Sequence, residues 1–265
     1  MQWTQFPCIH SIGAVNERTY MGELSLYSAG ATILAGYVVF GVTGFGSALV
    51  IVPLLTWTLP LDQVVPLVLL LDMPATVMHA AMNLRLVRWP EVRALGFAMA
   101  AGAILGALLA QQLPAQWPIV FLGCYVVWAG VSGLRPAKNA NEQVSSAAGS
   151  TAGLLIGLVE LMFGAAGPLV VAWLSRRLND AHVLRATAPV IIFCSASFAL
   201  AGRGVMGQLN VDELLHRWVL LMPFVIGGIV IGNRMARRID ESALRRWIAS
   251  LLVLSGLSLL GQAFL

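Results

Sequence analysis

The chain has 265 residues, 58% of them hydrophobic and only 11% charged, and its mean hydropathy is +0.83. A soluble domain carries about 25% charged residues, so a water-exposed globular fold is excluded. The formal net charge of +4 resides in short loops between apolar runs, which excludes a nucleic-acid surface and points to membrane orientation.

Residues 1–23 read as an N-terminal extension. They lack the basic start, apolar core and small-residue cleavage site of a secretory signal, and Met21 would serve as a start because the apolar pattern begins just after it. Apolar segments then follow at about 24–40, 45–59, 62–83, 94–112 and 117–134. A polar stretch, Arg135–Ser146, separates them from a second set at about 149–163, 165–175, 184–202, 217–235 and 243–263. Runs of roughly 20 apolar residues are what a ~30 Å hydrocarbon layer selects. The three cysteines, Cys8, Cys124 and Cys194, are scattered and have no His at ligand spacing. They fit neither a disulfide framework nor a zinc site; packing is their expected role.

The two sets share one rhythm, which predicts an internal repeat: repeat 1 over 24–135, a cytoplasmic linker over 136–147 and repeat 2 over 148–265. Gly36-Tyr-Val-Val-Phe-Gly-Val-Thr-Gly-Phe-Gly46 leads into an apolar run reaching Pro53; Gly153-Leu-Leu-Ile-Gly-Leu-Val-Glu-Leu-Met-Phe-Gly-Ala-Ala-Gly167 leads into one reaching Trp173. Lys and Arg accumulate in short cytoplasmic loops. If the first pair of segments in each set goes in and returns to the same side, as a re-entrant hairpin or as two tilted spans, thirteen of the 16 basic residues are cytoplasmic and only Arg18, Arg203 and Arg217 lie outside. That assignment makes the halves inverted. The expected fold is therefore an all-α polytopic membrane protein with two inverted-topology repeats, each a glycine-broken hairpin plus three transmembrane helices. One long tilted helix over 149–175 would break this parity.

Each half carries a glycine-broken stretch, Gly41-Val-Thr-Gly-Phe-Gly-Ser47 and Phe163-Gly-Ala-Ala-Gly-Pro168. Interrupted segments at corresponding positions point to a transporter's binding site near the midplane. Unwound backbone there must be buried in protein or line a cavity, and a half-helix starting near Ser47 or Pro168 aims free N–H groups and a positive dipole end into it. The competing reading is close helix packing on small residues. On the binding reading, a Cβ at Gly46 or Gly164 should obstruct the approach of a ligand.

Asp72 and Glu160 are acids inside apolar segments, where burial is costly and a functional role such as proton coupling is the first hypothesis; a structurally paired or neutral acid is the alternative. His79 lies farther along the segment of Asp72, Asn83 ends that segment, and Arg185 opens another, as an anion contact or as an orientation anchor. Trp57, Trp89, Trp117, Trp218 and Trp247 lie near segment ends, as interfacial residues do. Enzyme readings lack their parts: Ser47 has no evident His base, Asp72 has no second intramembrane aspartate, and no P-loop is present.

At the glycine breaks the chain resembles the TauE/SafE family of sulfite exporters and related permeases. The residues concerned are Gly36, Gly41, Gly44, Gly46-Ser47-Ala48 and Pro53 in the first half. Gly153, Gly157, Gly164-Ala-Ala-Gly167-Pro168 and Leu184-Arg-Ala-Thr-Ala-Pro189 correspond in the second. The resemblance spans 24–263 and implies movement of small sulfur-containing anions such as sulfite, sulfoacetate or taurine-related sulfonates. The expected protein is a secondary transporter of the inner (plasma) membrane whose partners are a small anion and the bilayer, with a homodimer an admissible assembly. It would need no cofactor, no metal and no nucleic acid. The residues expected at the substrate are Thr43, Gly44, Gly46, Ser47, Asn83, Gly164, Ala165, Gly167 and Arg185, with Asp72 and Glu160 coupling protons. A passive anion channel and a non-transporting scaffold subunit are the rival readings.

Overall fold

The computed structural model describes residues 28–81, 84–114, 116–133, 146–178 and 180–236, together with helical positions 250, 253–254, 256–257 and 260–261. Asn83, Lys138, the 136–145 stretch and the Arg237–Arg246 cluster lie outside the described residues. The elements are α1 (Ser28–Thr43), α2 (Ser47–Leu55), α3 (Leu61–Ala81), a 3-10 turn at Leu84–Leu86, α4 (Trp89–Gln112), α5 (Gln116–Gly133), α6 (Ser146–Phe163), α7 (Gly167–Arg177), α8 (Ala181–Val205) and α9 (Val211–Ala236). No strand occurs among the described residues. Four helices, α3, α4, α8 and α9, are long and apolar enough to cross a bilayer. Phe97 on α4 is 94% exposed, an apolar surface of the kind that lipid or another protein covers.

Several boundaries extend beyond the apolar runs, because polar first turns suit helix starts. α4 begins at Trp89 rather than near 94: Pro90 fits the opening turn, and Glu91 lies 2.8 Å from the Arg177 guanidinium. α9 begins at Val211, with Asp212 and Glu213 in its first turn, where carboxylates favour the positive dipole end. α8 is capped by Asp180, whose side chain accepts the His182 N–H at 2.8 Å. α6 starts at Ser146, inside the stretch read as linker.

The 149–175 segment is two helices, not one. A Cβ on Gly149 would lie 3.5 Å from the Trp173 ring, so α7 folds back along α6. Likewise a Cβ on Gly36 would press on Ile51, so α2 folds back along α1. Glycine faces then fix where each hairpin lies. A Cβ on Gly153 would come within 2.8 Å of the Leu95 carbonyl, one on Gly106 within 3.1 Å of the Leu158 carbonyl, and one on Gly157 would collide with Met99. This register runs α6 parallel to α4. In the same way Gly41 faces Ile229 and Gly228 faces Leu34 and Tyr37, so α1 runs parallel to α9. The glycines quoted for the family resemblance thus include two kinds: Gly36, Gly41, Gly153 and Gly157 allow close packing, as small residues do at membrane helix interfaces, while Gly44, Gly46 and Gly164 turn the chain.

The two ends of the bundle follow from a few contacts. The Arg88 N–H donates to the Thr187 hydroxyl at 3.1 Å, and Arg177 meets Glu91; this first end gathers Arg85, Arg88, Arg93, Arg176, Arg177, Arg185 and Arg234. At the second end Arg217 donates to Gln63 at 3.2 Å and Gln111 reaches Met206. The α6–α7 hairpin opens on the first end and the α1–α2 hairpin on the second.

A Gly157→Leu substitution should separate α4 from α6, whereas Gly96→Leu, with nothing within 4 Å of its Cβ position, should be silent. Overpacking of this kind costs about 1–3 kcal/mol, so a clear drop in the melting temperature of purified Gly157→Leu beside an unchanged Gly96→Leu is the expected outcome.

Candidate functional site

The hairpin tips meet inside the bundle. α1 ends where Gly44 turns left-handed (φ 82) and its N–H bonds back to the Phe40 carbonyl at 2.6 Å; α6 ends the same way at Gly164 (φ 64), whose N–H reaches the Glu160 carbonyl at 2.7 Å. A left-handed glycine is the ordinary stop for a helix because it lacks the Cβ penalty. After two more residues each chain starts a short helix, α2 behind Gly46 and α7 behind Ala166, and neither start has a side-chain cap. Helix starts leave N–H groups without intrahelical partners. A Cβ on Gly167 would sit 3.4 Å from the Gly46 nitrogen and 3.5 Å from Phe45, so the two starts face each other across one glycine's width.

Two buried acids complete the junction. Asp72, 3% exposed on α3, accepts the Tyr37 hydroxyl at 2.6 Å and the Ser47 hydroxyl at 2.8 Å on the same oxygen. Glu160, 1% exposed in the last turn of α6, accepts the Ala166 N–H at 2.8 Å on Oε2, while its buried Oε1 has no partner among the described residues. Both acids line a small cavity of about 10 Å³ with Gly46, Ser47, Gly164, Ala165 and Gly167, room for a single water. Among the described residues no Lys, Arg or His side chain lines it. A larger cavity of about 220 Å³ lies at the second end, between the start of α3 and the α8–α9 connection, with Asp62, Glu213 and Arg217 on its walls.

Of the residues expected at the substrate, Gly46, Ser47, Gly164, Ala165 and Gly167 come together here with Asp72 and Glu160. Thr43, Gly44 and Arg185 lie on the outer side of the first break. The Thr43 hydroxyl is taken up by the Val39 and Phe45 carbonyls, and Arg185 donates to the Val42 carbonyl at 2.7 Å. Gly44 sits beside His79, whose Nε2 is 3.2 Å from a Cβ placed there and whose ring nitrogens are buried without partners.

The sequence reading missed Tyr37, Tyr125 and Arg203. Tyr125 donates to the Ala165 carbonyl at 2.8 Å and so props the second break from α5. Arg203, read as an outside loop residue, is 6% exposed and holds the Leu161 carbonyl with Nε at 3.2 Å and Nη2 at 2.7 Å. An arginine within Ala199-Leu-Ala-Gly-Arg203, with no acid beside it, was the available signal. Arg185 and Arg203 thus cover the negative C-terminal ends of α1 and α6 from opposite ends of one helix, α8.

The family model for the sulfite exporter TauE/SafE matches residues 28–259. The chain belongs to the TauE/SafE family. It is 41% identical over 193 residues, 73% of this chain and 81% of the other, to the probable inner membrane transporter protein TsaS of Comamonas testosteroni. No solved structure matches it. The chain is therefore a multi-pass membrane transporter and not an enzyme.

A Cβ at Gly46 finds only Leu49 Cδ1, at 3.9 Å, but φ there is 91°. The obstacle to a side chain is thus the backbone angle rather than crowding. Gly46→Ala should cost about 1–2 kcal/mol for the left-handed conformation. Tyr37→Phe should cost about 1–3 kcal/mol for the lost bond to a buried acceptor. Chemical denaturation of the purified variants checks both.

Proposed function

We propose that the chain is a secondary transporter of small anions, sulfur oxyanions and sulfonates first among them, working by alternating access in the cell's inner membrane. The observation that carries this reading is the junction of two uncapped helix starts, facing each other across Gly167 and lined by buried acids. Helix N-termini bind anions through free N–H groups and a positive dipole end. The cavity is too small for an anion of several heavy atoms, so binding requires the hairpins to part. The likeness to the probable inner membrane transporter TsaS supports both transport and the inner membrane.

The two halves, 24–135 and 148–265, form inverted repeats on this proposal, as in many transporters with midplane sites. Hairpins that open onto opposite ends of the bundle support it. The Arg-rich first end is cytoplasmic by the positive-inside rule, and α6 begins there. Asp72 and Glu160 couple proton movement to transport: an anion entering a dry site beside two carboxylates needs at least one of them neutral.

The test is exchange in liposomes. Purified protein should accelerate uptake of labelled sulfite or taurine-like sulfonates into vesicles preloaded with the same compound, whereas a pore shows no stimulation by the preload. Gly167→Ala narrows the gap between the helix starts without a left-handed φ, so it should cut exchange at least tenfold, about 1.4 kcal/mol, with an unchanged melting temperature. Unimpaired exchange would remove the junction from the substrate path. Single cysteines at positions 88 and 176 should label only from the cytoplasmic side and one at 217 only from outside; opposite sides for 88 and 176 would overturn the inverted arrangement.

A further inference from the structure

We propose that the junction selects singly charged anions over doubly charged ones of the same shape, and that Glu160 binds the substrate in its protonated form through Oε1. The inference rests on the reading of the junction as an anion site.

The charge inventory around the cavity carries the first half. Each helix start presents roughly half a positive charge, so α2 and α7 together offer about one. The lining adds no cationic side chain. Arg185 and Arg203, the cations at the hairpin tips, keep their charge but lie outside that lining, against the half-negative carbonyl ends of α1 and α6. With both acids neutral the two helix starts match at most one negative charge, and less if Asp72 is ionised; a second would stay uncompensated in a buried site, at large cost. With both acids ionised, the site repels any anion.

Glu160 carries the second half. Its Oε2 is committed to the Ala166 N–H, and its Oε1 is buried and without a partner among the described residues, on a side chain that lines the cavity. A buried polar atom without a partner is costly to leave so. A proton on Oε1 turns it into a donor to a substrate oxygen, and that satisfies it. Asp72 is differently placed, since two hydroxyls already donate to it; Tyr37 and Ser47 hold it whether or not substrate is present. The groups that face Glu160 are Asp72 across the cavity, with Tyr37 behind it, Tyr125 on the Ala165 carbonyl, and Arg203 one residue along on Leu161. The proton is therefore bound with the anion and released with it, so one anion and one proton move together through this acid.

Methanesulfonate and sulfate are tetrahedral anions of similar size that differ by one charge. Their affinities for the purified full-length chain, measured by thermal shift in acidic and alkaline buffer, test the proposal. Methanesulfonate should bind at least about tenfold more tightly than sulfate and weaken as pH rises. Glu160→Gln, which keeps an acceptor for the Ala166 N–H, should still bind methanesulfonate but with a flattened pH dependence. Equal or tighter binding of sulfate overturns the charge selection without any variant, as does methanesulfonate binding that is indifferent to pH. A pH dependence that persists unchanged in Glu160→Gln overturns the role of Glu160. If neither anion binds and preloaded liposomes show no sulfonate exchange, the anion site itself falls, and this inference with it.

Discussion

Backbone that leaves the helix inside a bilayer has no water to satisfy it, and most of this structure answers that constraint. Each hairpin tip exposes carbonyls at the end of one helix and N–H groups at the start of the next. The carbonyl ends are met by Arg185 and Arg203 from α8. The loops are met by Glu160 on the Ala166 N–H, by Tyr125 on the Ala165 carbonyl and by the Thr43 hydroxyl. At the helix starts of Ser47 and Gly167 neither N-cap residue, Gly46 or Ala166, supplies a side-chain cap, and the two starts are turned toward each other. Irregular backbone at membrane depth is tolerated only when buried in protein or lining a cavity; here both conditions hold at once.

The scaffold is regular, but its chemistry is not. Gly44 and Gly164 end their helices by the same bond and the same left-handed turn, yet the acid near the first break comes from α3 and the acid near the second from α6. Asp72 is held by two hydroxyls, while Glu160 keeps one oxygen free. The two breaks therefore supply similar backbone and dissimilar side chains.

Much of this was legible in the sequence. Apolar runs located every described helix, because hydrophobic length is imposed directly by the bilayer. The breaks were legible because clustered glycines, joined at the second break by Pro168, have few uses inside an apolar run. Which glycines turn the chain and which let helices touch was not legible: Gly41 and Gly44 look alike in the sequence, and only the position of α9 separates them. Arg203 was misplaced for a related reason. Counting charges near segment ends treats every arginine as solvated, whereas a guanidinium can end on a helix carbonyl that lies 42 residues away in the chain. Tyr37 and Tyr125 carry no pattern of their own; their roles arise from what faces them.

The glycine-lined faces also set an order of assembly. α6 lies along α4, which precedes it in the chain, so the second hairpin finds its partner already made when it leaves the ribosome. α1 lies along α9, which is synthesised long after it. The first hairpin therefore enters the membrane with Gly41 and its neighbours facing lipid or a temporary escort, and it is covered only when α9 arrives. Truncation before Val211 leaves the second hairpin its docking groove and deprives the first of its own. The half of the protein that is made first is the last to be finished.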